Sequence, residues 1–157
     1  MTLSIGDKAP QFTLPDEKGV MHSLFDYLGK PLVIFFYPED DTPGCTQEAC
    51  NFRDDYTQYK DAGVELLGIS PDDSDSHEAF KSKYDLPFTL LADEGHKICE
   101  EYGVWGEKKL FGIPYIGLHR TTFLIDAEGK VSKVFNVNRI GQQGEDVLET
   151  LDQMRAK

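Results

Sequence analysis

The chain has 157 residues, 39% of them hydrophobic and 28% charged, which suits one globular domain spanning residues 1–157. Its 16 basic and 28 acidic side chains leave a net charge of -12, which repels nucleic acid and anionic lipid and excludes nonspecific polyanion binding. No apolar run approaches the roughly 18 residues of a membrane span, and MTLSIGDKAPQF has no basic or long apolar stretch of a signal peptide, so a cytoplasmic protein without membrane contact is expected.

Taken in chain order, Lys30–Pro38 (KPLVIFFYP) is a continuous apolar run and predicts a central strand buried on both faces. Ala49, Phe52, Tyr56 and Tyr59 then fall on one stripe of a helix that Gly63 ends. Val64–Ser70 reads as a second buried strand, and Ser74–Tyr84 as a helix starting from an Asp/Ser-rich cap. Phe88–Asp93 predicts a short strand and Gly95–Tyr102 a short helix. Gly103–Gly117, with four glycines and a proline, reads as a long loop. Arg120–Asp126 and Lys130–Val137 flank Ala127-Glu128-Gly129 as a hairpin, and Glu145–Arg155 predicts a closing helix. This order favours a three-layer α/β domain with a central mixed sheet flanked by helices.

The chemistry gathers at the start of the first helix. Thr42 suits the N-cap, Pro43 the first helical position, and Gly44 permits close approach to the backbone. Cys45 then occupies the third helical position, where unpaired N–H groups and the helix dipole favour an anion, so it is expected as a thiolate at neutral pH. The competing reading is that Cys45 is a small core residue on the apolar stripe. Cys50 follows five residues later. In an intact helix their Cα atoms would lie roughly 8–9 Å apart, beyond the ~7 Å limit of a disulfide. If the two thiols pair, the first turns must unwind.

Zinc needs four ligands as a rule, and His22, His77, His96 and His119 are scattered, so no metal or organic cofactor is expected. Cys99 reads as a packed small residue. Glu39, Asp40 and Asp41 are expected to point to solvent, because a carboxylate facing Cys45 would oppose its ionisation. Glu48 is offered Arg53 or Thr42 as a partner, without an assigned role. Trp105, Phe111 and Tyr115 either line an apolar collar or pack over a sheet edge.

The segment YPEDDTPGCTQEACNFRD resembles the active-site segment of the peroxiredoxins, and in particular of their bacterioferritin-comigratory, or peroxiredoxin Q, subgroup. Pro38, Thr42 and Cys45 match the motif Pro-x-x-x-Thr-x-x-Cys, and Cys50 matches the subgroup's second cysteine. In GVWGEKKLFGIPYIGLHRTTFLID, Arg120 opens a strand as the family's arginine does, and GDKAPQFTL and LADEGHKICEEYGVWG extend the likeness over nearly the whole chain. Two features depart from the pattern. His119 precedes the arginine and is expected on the opposite strand face, and Cys99 matches no role in the subgroup.

The resemblance implies a thioredoxin-like fold and a thiol peroxidase acting on hydrogen peroxide and organic hydroperoxides. Cys45 would be oxidised to a sulfenic acid, Cys50 would resolve it as an intramolecular disulfide, and thioredoxin or a similar dithiol would restore both thiols. Arg120 would favour the thiolate and donate to the peroxide, Thr42 would hydrogen-bond sulfur or peroxide, and Pro38 would shield Cys45 from water. The N–H groups of Gly44 and Cys45 are further candidate donors. Resolution within one chain suits a monomer, and a weak dimer is compatible with it. Two other functions fit the same residues: a general thiol–disulfide oxidoreductase without special reactivity towards peroxide, and a noncatalytic, redox-responsive binding module.

Overall fold

The computed structural model describes residues 3–137 and 143–155. An N-terminal hairpin pairs β1 (Thr13–Pro15) with β2 (Met21–Ser23), and a 3-10 turn over Leu24–Tyr27 follows. β3 (Leu32–Phe36) is buried at every position, as its unbroken apolar run requires of a central strand. Next comes α1 (Pro43–Asp61). Its C-terminal end is closed at Gly63, φ +74, with Gly63 N donating to the Lys60 carbonyl and Val64 N to the Tyr59 carbonyl. These are the two bonds of a Schellman motif, which needs the left-handed conformation that glycine adopts without strain.

β4 (Glu65–Ser70), α2 (Ser74–Tyr84) and β5 (Thr89–Ala92) follow, and Asp73 caps α2 by accepting from Ser76 N at 2.8 Å. α3 is shorter than expected, Lys97–Glu101, and its Ile98 and Cys99 N–H groups donate to the Asp93 carboxylate. The chain continues through β6 (Trp105–Leu110), β7 (Ile113–Leu118), β8 (Thr121–Ile125), β9 (Val131–Asn136) and α4 (Gln143–Arg155).

The main sheet has the order β5-β4-β3-β8-β9. β3, β4 and β5 run parallel, whereas β8 and β9 are antiparallel, which makes the sheet mixed. The period-2 alternation of β3 separates two cores. Leu32, Ile34 and Phe36 pack with Leu14, Leu24, Cys99 and Tyr102 on one face. Val33, Phe35 and Tyr37 pack with Cys45, Ala49 and Phe52 of α1, Phe80 of α2 and Val147 and Leu151 of α4 on the other. The three layers are therefore α1, α2 and α4, then the sheet, then α3 with the N-terminal hairpin.

The expected long loop at Gly103–Gly117 is instead a second hairpin, β6 paired antiparallel with β7 and separate from the main sheet. Its two-residue turn is Phe111-Gly112, with φ +53 and +81. A primed hairpin turn needs positive φ at both residues and is usually signalled by Asn-Gly or Asp-Gly. Phenylalanine in the first place hides it. Phe111 is 95% exposed at that tip and lines no collar. Trp105 stacks on His96 with centroids 4.0 Å apart, and Tyr115 lies beside Lys108. No helix among the described residues is long and apolar enough to cross a membrane.

Candidate active site

Two chain segments meet at the end of β3. Register pairs Phe36 with Thr121, so Arg120, just before β8, lies beside the point where the chain leaves Tyr37 for α1. From there Pro38 to Thr42 lead into the helix, and Cys45 sits in its first turn, 1% exposed. Arg120 Nη2 donates to Cys45 Sγ at 3.3 Å, bringing together residues 75 apart in sequence. His119 is directed elsewhere, with Nε2 3.0 Å from the Glu107 carbonyl; it and Arg120 lie between β7 and β8 rather than on the expected strand.

Glu48 completes the cluster. Its Oε1 accepts from Arg120 Nη1 at 2.7 Å, and its side chain is 0% exposed against 17% for Arg120. The expected partners, Arg53 and Thr42, are not the ones it takes. Arg53 instead donates to the Tyr84 carbonyl and to Asp54. Burial pushes the Glu48 carboxyl up to about 7, although the Arg120 charge and hydrogen bond pull it down. Its Oε2 is buried and lacks a hydrogen-bond partner among the described residues. Burial opposes the Arg120 charge, but the Glu48 carboxylate and the Cys45 sulfur more than restore it. One guanidinium thus bridges a carboxylate and a sulfur from two different nitrogens held in one rigid plane.

Thr42 is the N-cap residue by backbone geometry, but its side chain makes no cap bond. Its hydroxyl donates to the Glu39 carbonyl at 2.9 Å, so Thr42 does not occupy the N–H groups of Gly44 and Cys45. Pro38 is exposed just beyond β3. Cys50 is half-buried on the same helix, which is wound without interruption past both cysteines, and all three thiols are free. Cys99 is fully buried, and burial followed by the Asp93 carboxylate pushes its thiol far up, which keeps it protonated and inert.

At Asp40 the structure corrects the sequence reading: Glu39 and Asp41 are exposed as expected, whereas Asp40 is turned inward. Asp40 is 9% exposed and bound to Tyr37, Ser76 and His77, while Asp41 is bound to Lys83 and Tyr84. The helix dipole argument had no means of placing them. Tyr37 apart, their partners lie on α2, 36 to 43 residues further along the chain.

A free thiol in the first turn of a helix, bound by a half-buried guanidinium on a mixed sheet, places this protein among the thioredoxin-fold thiol peroxidases. The AhpC/TSA family model matches residues 5–134, and the chain belongs to that family. It is 55% identical over 135 residues to a putative peroxiredoxin Bcp of Coxiella burnetii, covering 86% of this chain and 89% of the relative. It is 44% identical to the peroxiredoxin Bcp of Bacillus subtilis over 157 residues, 100% of both chains. Among solved structures, the bacterioferritin comigratory protein of Xanthomonas campestris, described by its alkyl peroxide reduction activity, matches with a TM-score of 0.86 at 33% identity, covering 93% of this chain and 92% of that one. The thioredoxin-like fold and the peroxidase activity expected from the sequence are thereby borne out.

Proposed function

We propose that Cys45 is the peroxide-reactive thiol and Cys50 its resolving partner. The observation that carries this is the Arg120 guanidinium 3.3 Å from Cys45 Sγ. The thiolate attacks one peroxide oxygen, the O–O bond breaks, and the other oxygen leaves as water or an alcohol after taking a proton. Arg120 stabilises the charge that develops on those oxygens, and the Gly44 and Cys45 N–H groups add donors at the helix start. Thr42 turns its hydroxyl from Glu39 towards the peroxide, and Pro38, lacking an N–H, shields the approach without a competing donor.

Cys45 sulfenic acid then condenses with the Cys50 thiol, releasing water and forming the disulfide. That step requires unwinding of the first turns of α1, since the wound helix holds the two Cα atoms too far apart. Thioredoxin or a similar dithiol donates two electrons to regenerate both thiols. The substrates are hydrogen peroxide and organic hydroperoxides, and no metal or organic cofactor takes part. The chain acts as one domain and one protomer suffices, because both thiols lie on one helix, with a weak dimer compatible. The working compartment is the cytosol, whose reducing poise keeps thiols free. The charge of -12 supports the absence of a nucleic-acid or anionic-membrane partner.

The test is to add one equivalent of hydrogen peroxide to the reduced protein and follow thiols and intact mass. Rapid loss of two thiols and about two mass units is expected. Cys45→Ser abolishes the rapid reaction, and Cys50→Ser leaves the first oxidation but stops the disulfide. Consumption no faster than that of a small free thiol rejects the assignment, and failure of thioredoxin to restore the thiols rejects only the donor.

A further inference from the structure

The segment that enters α1 is held by α2 at two consecutive residues. Asp40 accepts from Tyr37 Oη at 2.6 Å, Ser76 Oγ at 2.8 Å and His77 Nδ1 at 2.7 Å. Its backbone N–H donates to Asp72 Oδ2 at 2.8 Å, an atom that also accepts from Ser70 Oγ. Asp41, at φ +58, accepts from Lys83 Nζ at 2.8 Å and Tyr84 Oη at 2.7 Å. None of this is needed to build the helix. It ties Asp40 and Asp41, the middle of the segment that carries Pro38 and Thr42, to α2.

The protonation of His77 follows from its partners. Nε2 lies 2.8 Å from the Leu91 carbonyl, which can only accept, so Nε2 carries a proton. Nδ1 lies 2.7 Å from Asp40 Oδ2, a carboxyl that also accepts from the Tyr37 and Ser76 hydroxyls, so a proton on Nδ1 gives that carboxyl a third donor and a charge-assisted bond. The result is a buried imidazolium–carboxylate pair with side chains 0% and 3% exposed. Burial opposes the charge on His77, but the Asp40 bond and charge, with Leu91 and Asp72, raise its pKa above the ordinary 6.5. Tyr37 stays protonated, because burial and then Asp40 hold its phenol far above its usual range.

The titratable groups around the ring are therefore Tyr37 after β3, Asp40 in the held segment and Asp72 after β4. The N-terminal hairpin adds Asp16, whose backbone bridges Leu91 and whose carboxylate binds His22, and Glu17, which binds Lys81. Asp40, Asp72 and His77 also have the spacing of metal ligands. Both ring nitrogens are engaged by protein acceptors, which argues for a clamp rather than an ion site.

We propose that His77 is a positioning residue for peroxide reduction: through Asp40 its imidazolium holds the Pro38–Thr42 segment against α2, and loss of its proton releases that segment and slows oxidation of Cys45. The inference rests on the assignment of Cys45 as the reactive thiol. The sign is fixed by linkage. A histidine whose folded-state pKa is raised contributes fully below its unfolded value and loses that contribution as pH rises through the folded value. The deprotonated ring would turn a lone pair towards the Asp40 carboxylate with no water to screen it.

The experiment measures the second-order rate of Cys45 oxidation by hydrogen peroxide in rapid-mixing, single-turnover runs from about pH 6 to about pH 9.5. The parent protein is expected to lose rate on the alkaline side. His77→Gln is expected to be about 10-fold slower at the acid end and to lack that fall. Asp40→Asn keeps the shape and lets its amide donate to a neutral His77, so it is expected to react faster than Asp40→Ala, also without the fall. Lys83→Met, which removes an exposed arm of the clamp, keeps the fall. An alkaline fall that persists unchanged in the His77 and Asp40 variants, equal rates for Asp40→Asn and Asp40→Ala, or loss of the fall in Lys83→Met overturns the proposal. A parent protein that reacts no faster than a small thiol at any pH overturns the Cys45 assignment and this proposal with it. A fast parent whose variants keep its profile overturns only the role of His77.

Discussion

Glu48 is the carboxylate nearest in sequence to Cys45 on the helix face that Arg120 meets, and it governs the electrostatics of the site. It lies three residues after Cys45, a spacing that puts both on one face of α1. That spacing was readable, yet the partner was not, because Arg120 is 72 residues away from Glu48. Buried, and with one oxygen unpartnered among the described residues, the Glu48 carboxyl is pushed up to about 7 from its ordinary 4.5. Between those values the folded state binds more protons than the unfolded one, so the stability tied to Glu48 falls as pH rises through that window. That difference corresponds to a change on the order of 3 kcal/mol. Glu48→Gln should therefore lose less stability than the parent between about pH 5 and about pH 8, read as urea midpoints. Parallel losses in the two proteins would mean that Glu48 does not titrate there.

At the scale of elements, α1 has two halves with different attachments. Its first turns hold Cys45 and Cys50. From Asn51 onward it is tied to α4, with Gly144 N donating to Asn51 Oδ1 and Tyr59 Oη donating to the Gly144 carbonyl at 2.8 Å. Unwinding that brings the thiols together should accordingly stop near Asn51. Hydrogen exchange on the oxidised protein is expected to accelerate at the Thr46–Cys50 amides and to leave Asn51–Asp61 within about 3-fold of the reduced protein. Acceleration spread through Asp61 would show that α4 does not limit the opening. The helix, its cap and its glycine stop were legible because each is a local signal. The β6–β7 hairpin was not, because exposure of Ile113–Ile116 on both faces removes the period-2 pattern there and Phe111 stands where a turn asparagine would announce the reversal.

For the molecule as a whole, the sheet is a wall between two cores, and Gly68 at its centre shows how tightly one side is filled. A Cβ at Gly68 would lie 2.8 Å from both Leu90 Cδ2 and Phe35 Cζ. Phe35 in turn stacks on Phe52 of α1 with centroids 4.7 Å apart. Gly68→Ala should therefore destabilise the protein by about 1–3 kcal/mol through overpacking, measured by denaturant unfolding. A neutral substitution would show that the aromatic layer beneath α1 can yield. Because that layer supports Ala49 and Phe52 on the helix carrying Cys45, the same variant should also slow peroxide oxidation.

By itself the sequence determined the order of the main-sheet strands and of the helices, the two-sided burial of Leu32–Phe36, the helix start at Thr42-Pro43 and the cysteine spacing that forbids a bridge in a wound helix. These rest on periodicity and local backbone preference, which act over a few residues and are written in the chain directly. Only the tertiary structure decided that Arg120 divides itself between Glu48 and Cys45, and that Asp40 turns inward to α2 while Asp41 pairs with α2 at the surface. Such pairings depend on distances of about 3 Å between groups dozens of residues apart, and it is the packing of helices on the sheet that sets those distances.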